Sequence, residues 1–145
     1  MTAADTGTLH PKAPGLACGV TEAMIRRVVE GFYGRVRRDP DLGPIFEGAI
    51  ADWEPHLAKL CDFWSSVLLM TGRFKGRPVP AHLALPGLEA AHFARWLELF
   101  RETAHAECPA PAAALFISRT ERIAESLQLA IDFQRGTLSA RPPAA

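Results

Sequence analysis

Between Glu22 and Arg38 the apolar side chains fall at Ile25, Val28, Val29, Phe32, Tyr33 and Val36, steps of three and one that lay them on one helical face. Thr21 stands where an N-cap belongs, and Asp39-Pro40 stops the pattern. Leu42 to Ile50 carries Gly43-Pro44 and Gly48 and reads as a turn-rich connector with one bulky side chain, Phe46. From about Asp52 to Met70 a second helical stripe holds His56, Leu60, Trp64 and Val67, widened by Leu57, Cys61 and Leu68. Pro55 falls in its first turn, where proline is tolerated. A Gly-, Pro- and base-rich loop follows from Thr71 to Ala81. Pro80 and Pro86 then bracket a stretch that admits at most one short turn, and His82 sits inside it. Leu88 to about Glu107 is helical again, with Glu89, Phe93, Trp96, Leu97, Phe100 and Ala104 near one stripe. The last helix is expected from about Pro109 to Gln134, with Phe116, Thr120, Ile123, Leu127 and Ile131 inward and Gly136 as its stop. No alternating run is long enough for a strand. The pattern predicts an all-α chain of four main helices in one domain, residues 21–136. Residues 1–20 and 137–145 lack periodicity and read as flexible tails.

Composition narrows the function more than the fold. Acidic and basic residues balance at 16 each, so the chain has no electrostatic footprint for nucleic acid or an anionic membrane. Its apolar runs are far shorter than the roughly 20 residues a membrane span needs. Cys18, Cys61 and Cys108 are odd in number and widely spaced, which fits neither a disulfide framework nor a zinc site and is consistent with a reducing cytoplasm. A Gly-rich phosphate loop, a His-Glu-x-x-His helix and a Cys-x-x-Cys pair are all missing, so nucleotide-binding and hydrolase readings lose their basis.

What remains is a set of aromatic polar groups on apolar faces. Tyr33 is the only tyrosine and lies in the first helix's stripe; His56 lies on the second; Trp64 and Trp96 lie on the second and third. Taken singly, each is accounted for by ordinary core packing. His92 and His105 fall away from the best stripe of their helix and read as solvated, and His10 belongs to the tail. Together, however, the residues describe an apolar pocket with one imidazole on a stiff turn and a phenol, an imidazole and an indole on separate helices. A haem site requires that set: a nitrogen ligand, dry walls and a few donors on the opposite face.

Phe32-Tyr33, Leu42-Gly43-Pro44-Ile45-Phe46, Trp53-Glu54-Pro55-His56, Phe63-Trp64, Ala81-His82-Leu83 and Phe93-x-x-Trp96-Leu97 closely resemble the group III truncated haemoglobins, over about residues 21–135. The resemblance implies a truncated globin, a two-over-two helical sandwich around haem b (iron protoporphyrin IX). It matches His82 to the proximal iron ligand on a vestigial helix, Tyr33 and Trp96 to distal hydrogen-bond donors, and His56 to the distal histidine, as a gate or a direct ligand contact. Phe46 matches the phenylalanine at the porphyrin edge. Phe32, Leu60, Trp64 and Phe93 are expected as further wall, and Arg73, Lys75 and Arg77 lie where the family approaches the haem propionates. Phe74 lacks the hydroxyl that the family often has there, and Met70 stands at a position that is commonly glycine.

The implied function is reversible binding of oxygen or another diatomic ligand, nitric oxide or carbon monoxide, in a bacterial cytoplasmic protein, a monomer or weak dimer. The alternative is redox chemistry at the same site, as a nitric oxide dioxygenase or weak peroxidase served by a reductase. A haem-free helical interaction domain is the third reading.

Overall fold

The side chain of Thr21 accepts a hydrogen bond from the Met24 N–H at 3.1 Å and so starts the first long helix where the spacing puts it. The computed structural model describes residues 12–75 and 90–134. They form six helices and no strand: α1 (Pro14–Ala17), α2 (Glu22–Arg38), α3 (Leu42–Ala49), α4 (Trp53–Leu69), α5 (Ala90–Glu107) and α6 (Ala110–Gln134). The expected all-α architecture is therefore borne out. His82, Arg77 and the Pro80–Pro86 turn lie outside the described residues, as do residues 1–11 and 135–145.

All six apolar positions read from the α2 pattern are buried. α2 packs against α4 on one side and α5 on the other, while α5 and α6, joined by a short link, form a helix hairpin. Side chains tie the two pairs together. Trp64 of α4 stacks on Phe100 of α5, with ring centroids 5.6 Å apart, and meets Phe116 of α6 at 5.2 Å. Phe116, Ile25, Leu42, Leu68 and Leu127 lose essentially all exposure in the resulting core. At the α5 crossing, Leu99 and Thr103 are buried although the sequence pattern did not single them out. Thr103 satisfies its hydroxyl by donating to the Leu99 carbonyl at 2.8 Å, so burying it is inexpensive.

Two segments differ from the sequence expectation. The connector at Leu42–Ala49 is a helix, because Pro44 occupies the first turn, where its missing N–H has no intrahelical partner to lose. Gly43 is required there by close approach: a Cβ at that position would sit 2.7 Å from the Arg37 carbonyl oxygen. The second difference lies in the stretch assigned to the N-terminal tail. Ala13, Gly15 and Val20 are buried, and the short α1 packs on α4 and α6 so closely that a Cβ on Gly15 would meet the Leu68 carbonyl at 2.7 Å. The sequence hid this because the burying groups are small.

Asp39 fixes the corner between α2 and α3. One carboxylate oxygen accepts from the Leu42 N–H at 2.9 Å and the Asp41 N–H at 3.0 Å, and the other accepts from Arg95 Nε of α5 at 2.7 Å. Burial by itself disfavours the charged form, but these donors outweigh it and hold the Asp39 carboxyl below the usual carboxylate range. A depressed folded-state pKa means that this contribution is complete above about pH 4 and is lost as pH falls further. Asp39→Asn keeps an acceptor but not the charge. It should cost about 1–2 kcal/mol at neutral pH, and its unfolding free energy should fall less steeply than the parent's in acid; parallel curves would contradict this role.

Met70 ends α4 in the left-handed region at φ 55°, ψ 38°, the single non-glycine residue with positive φ among those described. It is also exposed, so its side chain contributes little packing in return. Met70→Gly should therefore raise stability by about 0.5–1 kcal/mol, seen as a higher urea midpoint; a lowered midpoint would show that the methionine side chain is needed.

Candidate functional site

The apolar face of α2 carries two aromatic residues side by side, and each leads to a different part of the site. Phe32 makes edge contacts with Tyr33 at 4.8 Å, Phe100 at 5.1 Å and Trp96 at 5.6 Å, and Trp96 continues to Phe93 at 6.5 Å. Tyr33 meets Phe46 of α3 at 6.0 Å and, from α4, His56 at 5.6 Å and Trp53 at 5.7 Å. The predicted residues Phe32, Tyr33, Phe46, His56, Phe93 and Trp96 thus form one connected series of rings drawn from four helices.

Tyr33 is buried, which pushes its phenol well above its ordinary range; it is a neutral hydrogen-bond donor at any physiological pH. The Trp96 ring is half-buried, yet its Nε1 is shielded from solvent and has no hydrogen-bond partner among the described residues. A buried indole N–H normally finds an acceptor, and leaving one unmet costs about 1–3 kcal/mol. The Nε2 atom of His56 is buried as well. On α4, His56, Leu60, Phe63 and Val67 follow one another at steps of four, three and four, so they share one stripe, and all four are only half-buried.

Other predicted residues are placed differently. Trp64 is spent on the core between the helix pairs, against Phe100 and Phe116. Arg73 pairs with Glu22 at 3.0 Å, and the same Glu22 oxygen accepts from the buried Ser65 hydroxyl at 2.7 Å. Lys75 is exposed. Of the two histidines read as solvated, His105 is exposed and His92 is half-buried. Among the described residues no cluster of His, Cys, Asp or Glu could hold a metal ion, and no helix is long and apolar enough to cross a membrane. Burial raises the Cys61 and Cys108 thiols, which makes them poor nucleophiles.

The sequence places Trp53 in the motif Trp53-Glu54-Pro55-His56, but that motif by itself assigned it no role. It lies at the first position of α4, one turn before His56, and touches both Tyr33 and His56. An aromatic three residues ahead of a histidine on one helix was the available signal.

The chain is 35% identical over 113 residues to the group 3 truncated haemoglobin Ctb of Campylobacter jejuni, a match that covers 75% of this chain and 89% of that protein. It belongs to the group III truncated haemoglobins. The crystal structure of the group III truncated haemoglobin from Campylobacter jejuni superimposes on it with a TM-score of 0.73 at 34% identity, covering 77% of this chain and 91% of the other. The haemoglobin of the thermophilic phototrophic bacterium Chloroflexus aurantiacus, at 24% identity and a TM-score of 0.65, shares the fold, over 79% of this chain and 96% of its own. No family model matches the chain.

A truncated haemoglobin fold makes α2 with α4, and α5 with α6, the two layers of a two-over-two sandwich. Membership also implies a haem cofactor, and two observations show that the residues of this truncated haemoglobin suit one. The half-buried apolar stripe of α4 offers a flat group a wall to cover. The unmet Trp96 N–H, held dry beside Phe32 and Phe93, has no acceptor among the described residues.

Proposed function

We propose that this truncated haemoglobin holds haem b against the α4 stripe and reversibly binds oxygen or another diatomic ligand, with His82 as the proximal iron ligand and Tyr33 and Trp96 as donors to the bound ligand. The ligand identity of His82 rests on the family resemblance of the Ala81-His82-Leu83 motif. Haem supplies an iron centre that takes up a diatomic molecule. The chain's own residues do the rest. Phe46 and Phe32, with Leu60 and Phe93, exclude water; Tyr33 stays protonated; Trp96 offers an N–H whose desolvation has already been incurred by folding. The single observation that carries the reading is that buried Trp96 N–H, without an acceptor among the described residues, on a helix packed against the one that bears Tyr33.

Two expected outcomes test it. His82→Ala should abolish or greatly weaken haem retention, whereas His92→Ala should leave the absorption spectrum of the purified protein unchanged. The reverse result would remove His82 from the site.

Oxygen develops more negative charge on binding than carbon monoxide does, so donors in a dry pocket favour oxygen selectively. Tyr33→Phe or Trp96→Phe should each cost about 0.5–1.5 kcal/mol, up to roughly tenfold faster oxygen release, with carbon monoxide release far less affected. The apoprotein should not be destabilised by removing the Trp96 N–H, since no group among the described residues accepts from it. Stopped-flow release of both gases decides the matter: equal shifts for both, or none for oxygen, would contradict the donor assignment.

A further inference from the structure

His56 is held by more than its own helix. Its imidazole stands edge-on to two rings, with centroids 5.6 Å from Tyr33 and 5.7 Å from Trp53 and an interplanar angle of 88° in both cases. Tyr33 and Trp53 are themselves 5.7 Å apart, so the three rings close a triangle at the place where the start of α4 meets α2. Tyr33 is buried in the core, whereas Trp53, at the first position of its helix, is half-buried and packs only on the core's margin. Polar contacts hold it as well. Its indole N–H donates to one Glu47 carboxylate oxygen at 3.1 Å, and Arg37 Nε donates to the other at 2.7 Å. The Arg37 guanidinium also lies over the Trp53 ring, 4.4 Å from its centroid. Glu47 therefore uses both oxygens to tie α2, α3 and the first turn of α4 together through Arg37 and Trp53. These donors hold the Glu47 carboxyl below its ordinary range.

The geometry points to a clamp: Arg37, Glu47 and Trp53 hold the His56 imidazole against Tyr33, and Trp53 is the positioning residue that governs how readily the imidazole swings away. Nothing in this packing requires a cofactor, so the clamp stands on the rings and hydrogen bonds alone. Its consequence for ligand access rests on the proposed haem reading. With the imidazole held inward beside the Tyr33 donor, the pocket admits a diatomic ligand without rearrangement, while a bulkier ligand must displace His56 and hence loosen Trp53.

Carbethoxylation of His56 by diethyl pyrocarbonate, followed by peptide mass spectrometry, reads the clamp directly, with exposed His105 as the internal reference. In the full chain, Trp53→Ala should speed modification of His56 by roughly two- to tenfold, the range expected for losing an aromatic pair, and leave His105 unchanged. Trp53→Phe, which keeps a covering ring but no N–H, should fall between. Glu47→Ala, at an exposed position whose loss spares the core, should also accelerate modification and keeps the test open if Trp53→Ala fails to fold. With haem added, the same variants should bind imidazole faster by a larger factor than carbon monoxide. Unchanged His56 reactivity in both Trp53→Ala and Glu47→Ala would overturn the clamp. Accelerated reactivity in a chain that takes up no haem would uphold the clamp and refute the haem reading, so the two failures are distinguishable.

Discussion

The edge contacts of Phe32 are the interaction on which the rest of the structure depends. Its ring is 2% exposed and touches Tyr33 on its own helix and both Trp96 and Phe100 on α5. Because α2 crosses both α4 and α5, the position of this ring sets how the two helix pairs approach. It also sets where Tyr33 and Trp96 stand, since both pack against it. Core and site share the same ring here: its contact with Phe100 belongs to the core, and its contacts with Tyr33 and Trp96 belong to the candidate site.

Polar groups in this fold are treated in two opposite ways. Asp39 is buried, and both of its oxygens are used, by two backbone N–H groups and Arg95. Ser65, fully buried, is met by Glu22 and Thr71. Trp96 and Thr120 are the contrast: the indole N–H and the hydroxyl are both buried and find no partner among the described residues. Of the two, the indole stands beside Phe32 and Phe93 in the candidate site. The uncompensated cost at Trp96 falls within Phe93-x-x-Trp96-Leu97, one of the motifs that carry the family resemblance.

Much of this was legible in the sequence because the long helices are strongly periodic. All of the α2 face, its Thr21 cap and its stop at Asp39-Pro40 follow from spacing alone, as does the last helix through Phe116, Thr120 and Leu127. Short-range signals misled where tertiary contacts override them. Gly43 and Pro44 read as a turn, yet Gly43 is there for close approach to Arg37 and Pro44 sits in a first turn that tolerates it. Ala13 and Gly15 carry too little apolar surface to register as a packed segment. The site was legible as a set of residue types and, through the resemblance, as a set of roles. The contact of Tyr33 with Trp53 and His56 was not, because it joins residues 20 and 23 positions apart, and the Glu47 tie spans α2, α3 and α4.

The most direct measurement is a titration of the haem-free full chain with haem, followed by absorption in the ferric, ferrous and carbon monoxide forms and by the indole N–H resonance of Trp96. The account predicts saturation at one haem per chain, a histidine-ligated haem spectrum, and a Trp96 N–H signal that moves when oxygen binds and much less when carbon monoxide binds. Haem uptake without saturation, or a Trp96 signal indifferent to both haem and oxygen, would contradict it.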